Sequence, residues 1–237
     1  MSLFVDWGHM RLYYQDDYVT LYHGSCRDPG EWLSGDVMVT DPPYGIGWEG
    51  SYVAGHGRGP RKIRRDTPDG IANDGDTTAR DEALALWSPR PAMVFGSFRA
   101  APPAGVVQTL IYQKPATSGV VGSYTGFRRD IEPVFLVGDW PRRSVMWSSV
   151  LSTNVGHISH LVKQFGHPHV KPVDLLRDMI LKCPPGVIVD PFAGSGSTLR
   201  AAKDLGRKAI GVEIDERYCE IAANRLGQEV LDFGGVA

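Results

Sequence analysis

The sequence predicts an α/β fold built on a doubly wound, mostly parallel sheet, and three observations carry that expectation. The runs "DVMVTDPPY" (36–44), "PAMVFGS" (91–97), "GVIVDPFAGSGS" (186–197) and "KAIGVEID" (208–215) are continuously apolar at their cores rather than alternating, as in strands covered on both faces. The last two runs are separated and followed by helical patterns, giving a strand–helix–strand–helix order that favours parallel pairing. A glycine-rich turn closes the third run at Gly194 and Gly196, the position where open α/β sheets bind ligands.

The elements follow along the chain. "YVTLYHGS" (18–25) is rich in β-branched and aromatic residues and reads as a strand, followed by the strand that ends in Asp41-Pro42-Pro43-Tyr44. Residues 45–80 are rich in Gly, Arg, Asp and Thr with little hydrophobic periodicity, so they read as a long basic loop, a length that is typically functional. "DEALALW" (81–87) predicts a short helix and 91–97 a buried strand. "VVQTLIYQKP" (106–115) and "DIEPVFLVG" (130–138) predict a pair of strands. Residues 140–167 show no clear period and form a short irregular insertion. "KPVDLLRDMILKC" places apolar residues at 173, 175, 176, 179 and 180, one face of a helix. "TLRAAKDLG" (198–206) is a helix with Gly206 as its stop, and "ERYCEIAANRL" (216–226) is the last helix. The whole of 1–237 is expected to form one domain around this sheet.

Composition narrows the class. Hydrophobic residues make up 42% of the 237 and charged residues 22%, an ordinary balance for a chain with a real core. No run approaches the roughly 18 apolar residues of a membrane span, and the first residues lack a secretory pattern. Three widely spaced cysteines, Cys26, Cys183 and Cys219, fit a reducing cytoplasm rather than a disulfide framework. His157, His160, His167 and His169 cluster in sequence, but no Cys-x-x-Cys or His-Glu-x-x-His accompanies them and no metal site is expected. The net charge is −2, yet "HGRGPRKIRR" (56–65) carries Arg58, Arg61, Lys62, Arg64 and Arg65 with no acidic residue. Such a run is either a solvated loop or a local phosphate-binding patch.

Two segments carry chemistry. Gly194 and Gly196 leave room for a ligand against the backbone, and Glu213, at the end of the next strand, is placed to accept from ribose hydroxyls. A nicotinamide dinucleotide would want a third glycine where Leu199 stands, and no Gly-Lys-Ser/Thr is present for a phosphate loop. A nucleoside without pyrophosphate fits better. In the other segment, paired prolines commonly end a strand and Asp is a frequent turn residue. The same residues also place a carboxylate, a rigidly aimed Pro42 carbonyl and a flat Tyr44 ring at one strand end.

Asp190-Pro191-Phe192-Ala193-Gly194-Ser195-Gly196-Ser197-Thr198 resembles the S-adenosylmethionine turn of class I methyltransferases, and Asp41-Pro42-Pro43-Tyr44 resembles the catalytic motif of the amino-group (N6-adenine/N4-cytosine) DNA methyltransferases. His167-Pro168-His169-Val170-Lys171-Pro172 is similar to that family's His-Pro-x-x-Lys-Pro segment, and "IYQKP" and "RRDIEPVFLVG" are similar to its later core strands. The catalytic motif comes first and the glycine turn last, the permuted order of the β group. One departure is Gly24-Ser25-Cys26, where family members usually carry Gly-Asp.

The resemblance implies a Rossmann-like fold, S-adenosylmethionine as cofactor, and double-stranded DNA as partner. It implies that Asp41 and Pro42 accept hydrogens from an exocyclic amine while Pro43 fixes the turn and Tyr44 stacks on a flipped base. It also implies that residues 190–198 with Glu213 cradle the cofactor, that Asp41 borders it, and that Lys171 and Pro172 close over its methionine end. Asp at the first motif position leans towards adenine N6, whereas cytosine N4 satisfies the same chemistry. Cytosine C5 chemistry needs a Pro-Cys nucleophile, and the chain offers only Cys183-Pro184 at a helix end. A nucleotide-dependent oxidoreductase remains the reading outside the family, and a non-catalytic DNA-binding fold the third. The stretch available for target recognition, the insertion at 140–167 with the loop at 45–75, is short for the family, which implies low sequence specificity or a homodimer sharing a palindromic site.

Overall fold

The computed structural model describes residues 10–47, 52–53, 61–62, 72–115, 127–153 and 170–228. Its centre is a nine-stranded mixed sheet. In chain order the strands are β1 (Arg11–Gln15), β2 (Val19–His23), β3 (Val37–Thr40), β6 (Ala92–Phe95), β7 (Val106–Gln113), β8 (Ile131–Val137), β9 (Val150–Ser152), β10 (Ile188–Asp190) and β11 (Ala209–Glu213). A separate two-stranded ribbon pairs β4 (Tyr52–Val53) with β5 (Arg61–Lys62). The spatial order is β1-β2-β11-β10-β3-β6-β8-β7-β9.

The five central strands β2, β11, β10, β3 and β6 run parallel, as the uninterrupted apolar character of the last four predicts, whereas β2 alternates. Antiparallel β8 then joins β6 to β7, and β1 closes the opposite edge as a hairpin on β2. Strands β1 and β9 were not expected from the sequence. Both are edges with mostly exposed or half-exposed residues, so neither leaves the buried run that marks an inner strand.

Side chains alternate between two cores. Val37, Val39 and Ile188 point to one face, against helices α2 (Val173–Lys182), α3 (Ser197–Asp204) and α4 (Glu216–Gly227). Met38, Val189 and Val94 point to the other, against Ala83 and Trp87 of α1 (Thr78–Trp87) and Trp32 of a short 3-10 turn. Trp32 and Trp87 stack with ring centres 6.2 Å apart. Helices on both faces of a mostly parallel sheet are the expected doubly wound arrangement.

Helix α1 begins at Thr78, so the last residues of the segment 45–80 are helical rather than loop. Its start is fixed by polar contacts that apolar periodicity does not report: Asp76 accepts the Thr78 backbone N–H at 2.9 Å, and the Thr77 hydroxyl donates to Asp81 at 2.9 Å. Of the basic run, Arg61 and Lys62 form β5, while Arg58, Arg64 and Arg65 lie outside the described residues. So do residues 154–167 of the insertion and all four clustered histidines.

Candidate active site

The carboxyl ends of β3 and β10 lie side by side, paired in parallel register through Val37 with Ile188 and Met38 with Val189. Two segments about 150 residues apart in sequence therefore open into one cleft. A hydrogen bond ties them: the Thr40 hydroxyl donates to Asp190 Oδ1 at 2.7 Å, with both groups buried. The cleft, of about 260 Å³, is lined by Asp41, Pro42, Pro43, Tyr44, Lys171, Asp190 through Ser195, Ser197, Thr198 and Glu213. Most residues that the sequence nominated thus converge.

At the β10 end, Asp190 is an organising residue. It accepts from Thr40 and from the Phe192 backbone N–H at 3.1 Å, which bends the chain into the glycine turn. Gly194, with φ of +50°, lines the cleft and donates its N–H to Glu213 Oε2 at 2.7 Å. Glu213 Oε1 accepts the Asp215 N–H at 2.8 Å, so each oxygen keeps a second lone pair. Burial pushes both carboxyls up to about 6; the Thr40, Thr198 and Phe192 contacts at Asp190, and the Asp215 and Gly194 amides at Glu213, only partly offset it.

Gly196 behaves differently from Gly194. It is not on the cleft wall; a Cβ there would lie 3.0 Å from that of Ala222, and its φ is +77°. The second glycine therefore lets α4 approach the turn. Arg225 of that helix reaches back, donating to the Ser195 carbonyl at 3.3 Å and to the Ser197 hydroxyl at 2.9 Å. Pro172 also lies off the wall and immediately precedes α2, its carbonyl accepting the Leu176 N–H at 3.2 Å.

At the β3 end, Asp41 is held on both oxygens. The Tyr44 hydroxyl donates to Oδ1 at 2.8 Å, and Lys171 Nζ donates to Oδ2 at 2.7 Å and to the Tyr44 hydroxyl at 2.9 Å. The Lys171 ammonium also sits 4.7 Å from the Phe95 ring centre and 5.4 Å from that of Tyr44. Lys171 is thus a direct partner of the catalytic-motif carboxylate, not only a neighbour of the glycine turn. Burial works against its charge, but the Asp41 and Glu132 carboxylates outweigh it and hold Lys171 above the usual lysine range. Burial, reinforced by the Asp41 and Glu132 charges, pushes the Tyr44 phenol well up and keeps it neutral.

Two contributions were not legible as site residues, and a third, Ser25 with Cys26, stood out only as a departure from the family's Gly-Asp. Glu132 of β8 stands 3.5 Å from Lys171 Nζ and 2.5 Å from Lys114 Nζ. Asn73 and Asp74 also line the cleft, and Asp74 accepts the Gly45 N–H at 2.9 Å, pinning the loop that leaves Tyr44. Ser25 and Cys26 form part of the wall near Glu213 and Ile214. A left-handed Asn73 (φ of +61°) beside Asp74, just before a helix, is the kind of turn chemistry that could have marked that segment. The Cys26 thiol is driven to about 12 by burial, so it offers no thiolate for cytosine C5 chemistry.

The fold has known counterparts. It matches the M1.HpyAVI structure solved with S-adenosylmethionine at a TM-score of 0.57, 17% identity, and coverage of 89% of this chain and 100% of that one. It matches the PvuII cytosine-N4-specific DNA methyltransferase at a TM-score of 0.60 and 15% identity, covering 93% and 90% of the two chains. In sequence, the type II methyltransferase M.ScaI of Streptomyces caespitosus is 43% identical over 70 residues, 29% of this chain and 23% of that protein. The methylase YubD of Escherichia coli strain K12 is 30% identical over 206 residues, 83% of this chain and 81% of that protein. Residues 108–224 match the N6/N4 family model described as DNA methylase. With that extent of likeness added to the convergent cleft, the chain belongs to the N6/N4 amino-group DNA methylase family.

Proposed function

We propose that this chain transfers the methyl group of S-adenosylmethionine to the N6 amine of an adenine flipped out of double-stranded DNA. The observation that carries the reading is the Thr40–Asp190 bond, which places the Asp41 motif and the glycine turn on one cleft at adjoining strand ends. The cofactor fits the residues present. Gly194 exposes backbone to the cleft, and Glu213, buried beside it, retains lone pairs for two vicinal hydroxyls. Bound there, the cofactor supplies an electrophilic methyl on a sulfonium.

The chain's own groups do the rest. An exocyclic amine is a weak nucleophile because its lone pair is delocalised into the ring. Asp41 and the Pro42 carbonyl accept its two N–H bonds and favour a pyramidal nitrogen whose lone pair faces the donor. The two prolines fix the direction of that carbonyl. Tyr44 offers a ring on which the extruded base stacks, offsetting the few kcal/mol that flipping costs. Alignment of amine and donor in one cleft supplies most of the acceleration. Lys171 holds the Asp41 carboxylate in place through its ammonium, and Pro172 sets the start of its helix. The residues 190–198 shape the donor side, with Gly196 acting through helix packing.

Asp at the first motif position supports adenine over cytosine. Arg58, Arg61, Lys62, Arg64 and Arg65 serve as phosphate contacts in this reading, and a cytoplasmic protein acting on DNA, alone or as a homodimer, fits the chemistry. The deciding experiment incubates unmethylated DNA with cofactor and protein, then digests to nucleosides for mass spectrometry. N6-methyladenine is the expected product. N4-methylcytosine would keep the mechanism and overturn the base; no methylated nucleoside despite cofactor binding would sink the reading.

A further inference from the structure

Beyond the cleft wall, an ion-pair chain runs into the sheet. Lys114 at the end of β7 holds Glu132 of β8, Glu132 faces Lys171, and Lys171 holds Asp41 and Tyr44. Side-chain exposure falls to 10% at Lys171 and 16% at Glu132, so neither charge is left to bulk water. Lys114 and Glu132 are cross-strand neighbours by register, since Gln113 pairs with Ile131 and Tyr112 with Glu132. Glu132 does not line the cleft, whereas Lys171 does.

We propose that Glu132 is a positioning residue for methyl transfer, anchoring the Lys171 ammonium so that Asp41 presents its unused lone pairs to the target amine. The inference rests on Asp41 being the amine acceptor. An ammonium buried this deeply needs anionic partners on more than one side. Asp41 alone would draw Nζ wholly to itself, and a lysine side chain free to swing would carry the carboxylate with it. Glu132, fixed by Lys114 on a sheet strand, sets where Nζ stands. With Tyr44 on Oδ1 and Lys171 on Oδ2, the carboxylate is clamped in one rotation, and one lone pair on each oxygen stays open.

The arrangement gives a distinct signature in pH. Lys171 is faced by Asp41 and Tyr44 from the loop after β3, by Glu132 from β8 and through it by Lys114 from β7. Among the described residues, Tyr112 on β7 feels Glu132 and Asp174 at the start of α2, and Asp190 on β10 feels Asp41. Asp41 and Glu132 both favour the charged lysine. Removing the Glu132 charge lowers the pH at which Lys171 loses its proton and releases Asp41.

The test compares wild type with Glu132→Gln and Glu132→Asp, following kcat and KM on unmethylated DNA across pH 6 to 10 and S-adenosylmethionine affinity by calorimetry. Glu132→Gln is expected to lower kcat at least tenfold with cofactor affinity within threefold of wild type, and to bring into this range an alkaline fall of kcat that wild type, its Lys171 held above the usual lysine range, does not show there. Glu132→Asp is expected to recover part of kcat and to push that fall back towards higher pH. An active wild type with Glu132→Gln unchanged in kcat and pH profile would overturn the role of Glu132 alone. Loss of cofactor affinity or of the circular dichroism spectrum in Glu132→Gln would make the residue merely structural and also overturn it. A wild-type protein without methyl transfer would instead overturn the reading of Asp41 on which the inference stands.

Discussion

Asp41 and Glu213 are both carboxylates at strand ends, yet their surroundings set them to different tasks. Asp41 is clamped by a cation and a neutral phenol. Substituting Asp41→Asn keeps the shape but removes the charge that Lys171 and the amine both use, so kcat is expected to fall by about a hundredfold or more, the scale seen when one preorganised polar partner at a reaction centre is lost. Cofactor affinity should stay near wild type; equal losses in both would show that Asp41 acts mainly in binding. Glu213 and Asp190 are instead buried among amides and hydroxyls, with pKa values near 6. Because these exceed ordinary carboxyl values, the free folded protein gains protons as pH falls through 6 and is stabilised relative to the unfolded chain. Ribose hydroxyls need the ionised Glu213, so cofactor affinity runs the opposite way. It should fall by about tenfold per pH unit below 6 for each group that must ionise. Affinity that is flat from pH 7 to 5 would remove Glu213 from the ribose role.

At the scale of elements, the glycine turn divides its labour. Gly194 faces the cleft, whereas Gly196 is required by the contact of α4 with the turn. Gly196→Ala forces a left-handed φ on alanine and presses a Cβ against Ala222, which is expected to cost about 1–3 kcal/mol of stability. The urea midpoint measures it, and an unchanged midpoint would show that the turn relaxes freely. The sequence shows the turn because its glycines are local, and it shows the inner strands because residues such as Val37, Met38 and Val39 are apolar on both faces. Asp41-Pro42-Pro43-Tyr44 is legible for the same reason: its rigidity is written into four adjacent residues. Glu132 is different. Its meaning depends on β8 lying antiparallel to β7 and on Lys171 arriving from a segment 39 residues later. Strand β9 is hidden too, being three residues long with Val150 and Ser152 exposed. Lys171 lines the cleft and holds Asp41, a partner its own segment does not name, because a lysine's reach is decided by packing rather than by sequence neighbours.

At the scale of the whole molecule, charge poses a problem that the fold must solve locally. A net charge of −2 gives the protein no global attraction for a polyanion. Attraction must come from a concentrated basic surface near the cleft, and the chain after Tyr44 is where the sequence concentrates it. Gly45 and Gly47 are tied to Asp74, so the segment carrying Arg58 to Arg65 leaves from the catalytic motif and returns to the cleft wall at Asn73. Both ends of that excursion are therefore anchored to each other at the cleft wall. If Arg61, Lys62 and Arg64 each neutralise a phosphate, replacing all three by Gln should reduce the slope of log affinity against log salt by about 2.7, that is ~0.9 per contact on duplex DNA. Binding at low salt should weaken strongly, while S-adenosylmethionine affinity stays as in wild type. Fluorescence anisotropy with a labelled duplex across a salt series reads the slope directly. A triple variant with an unaltered slope would make the run a solvated loop, and DNA would then have to be held by other surfaces around the cleft.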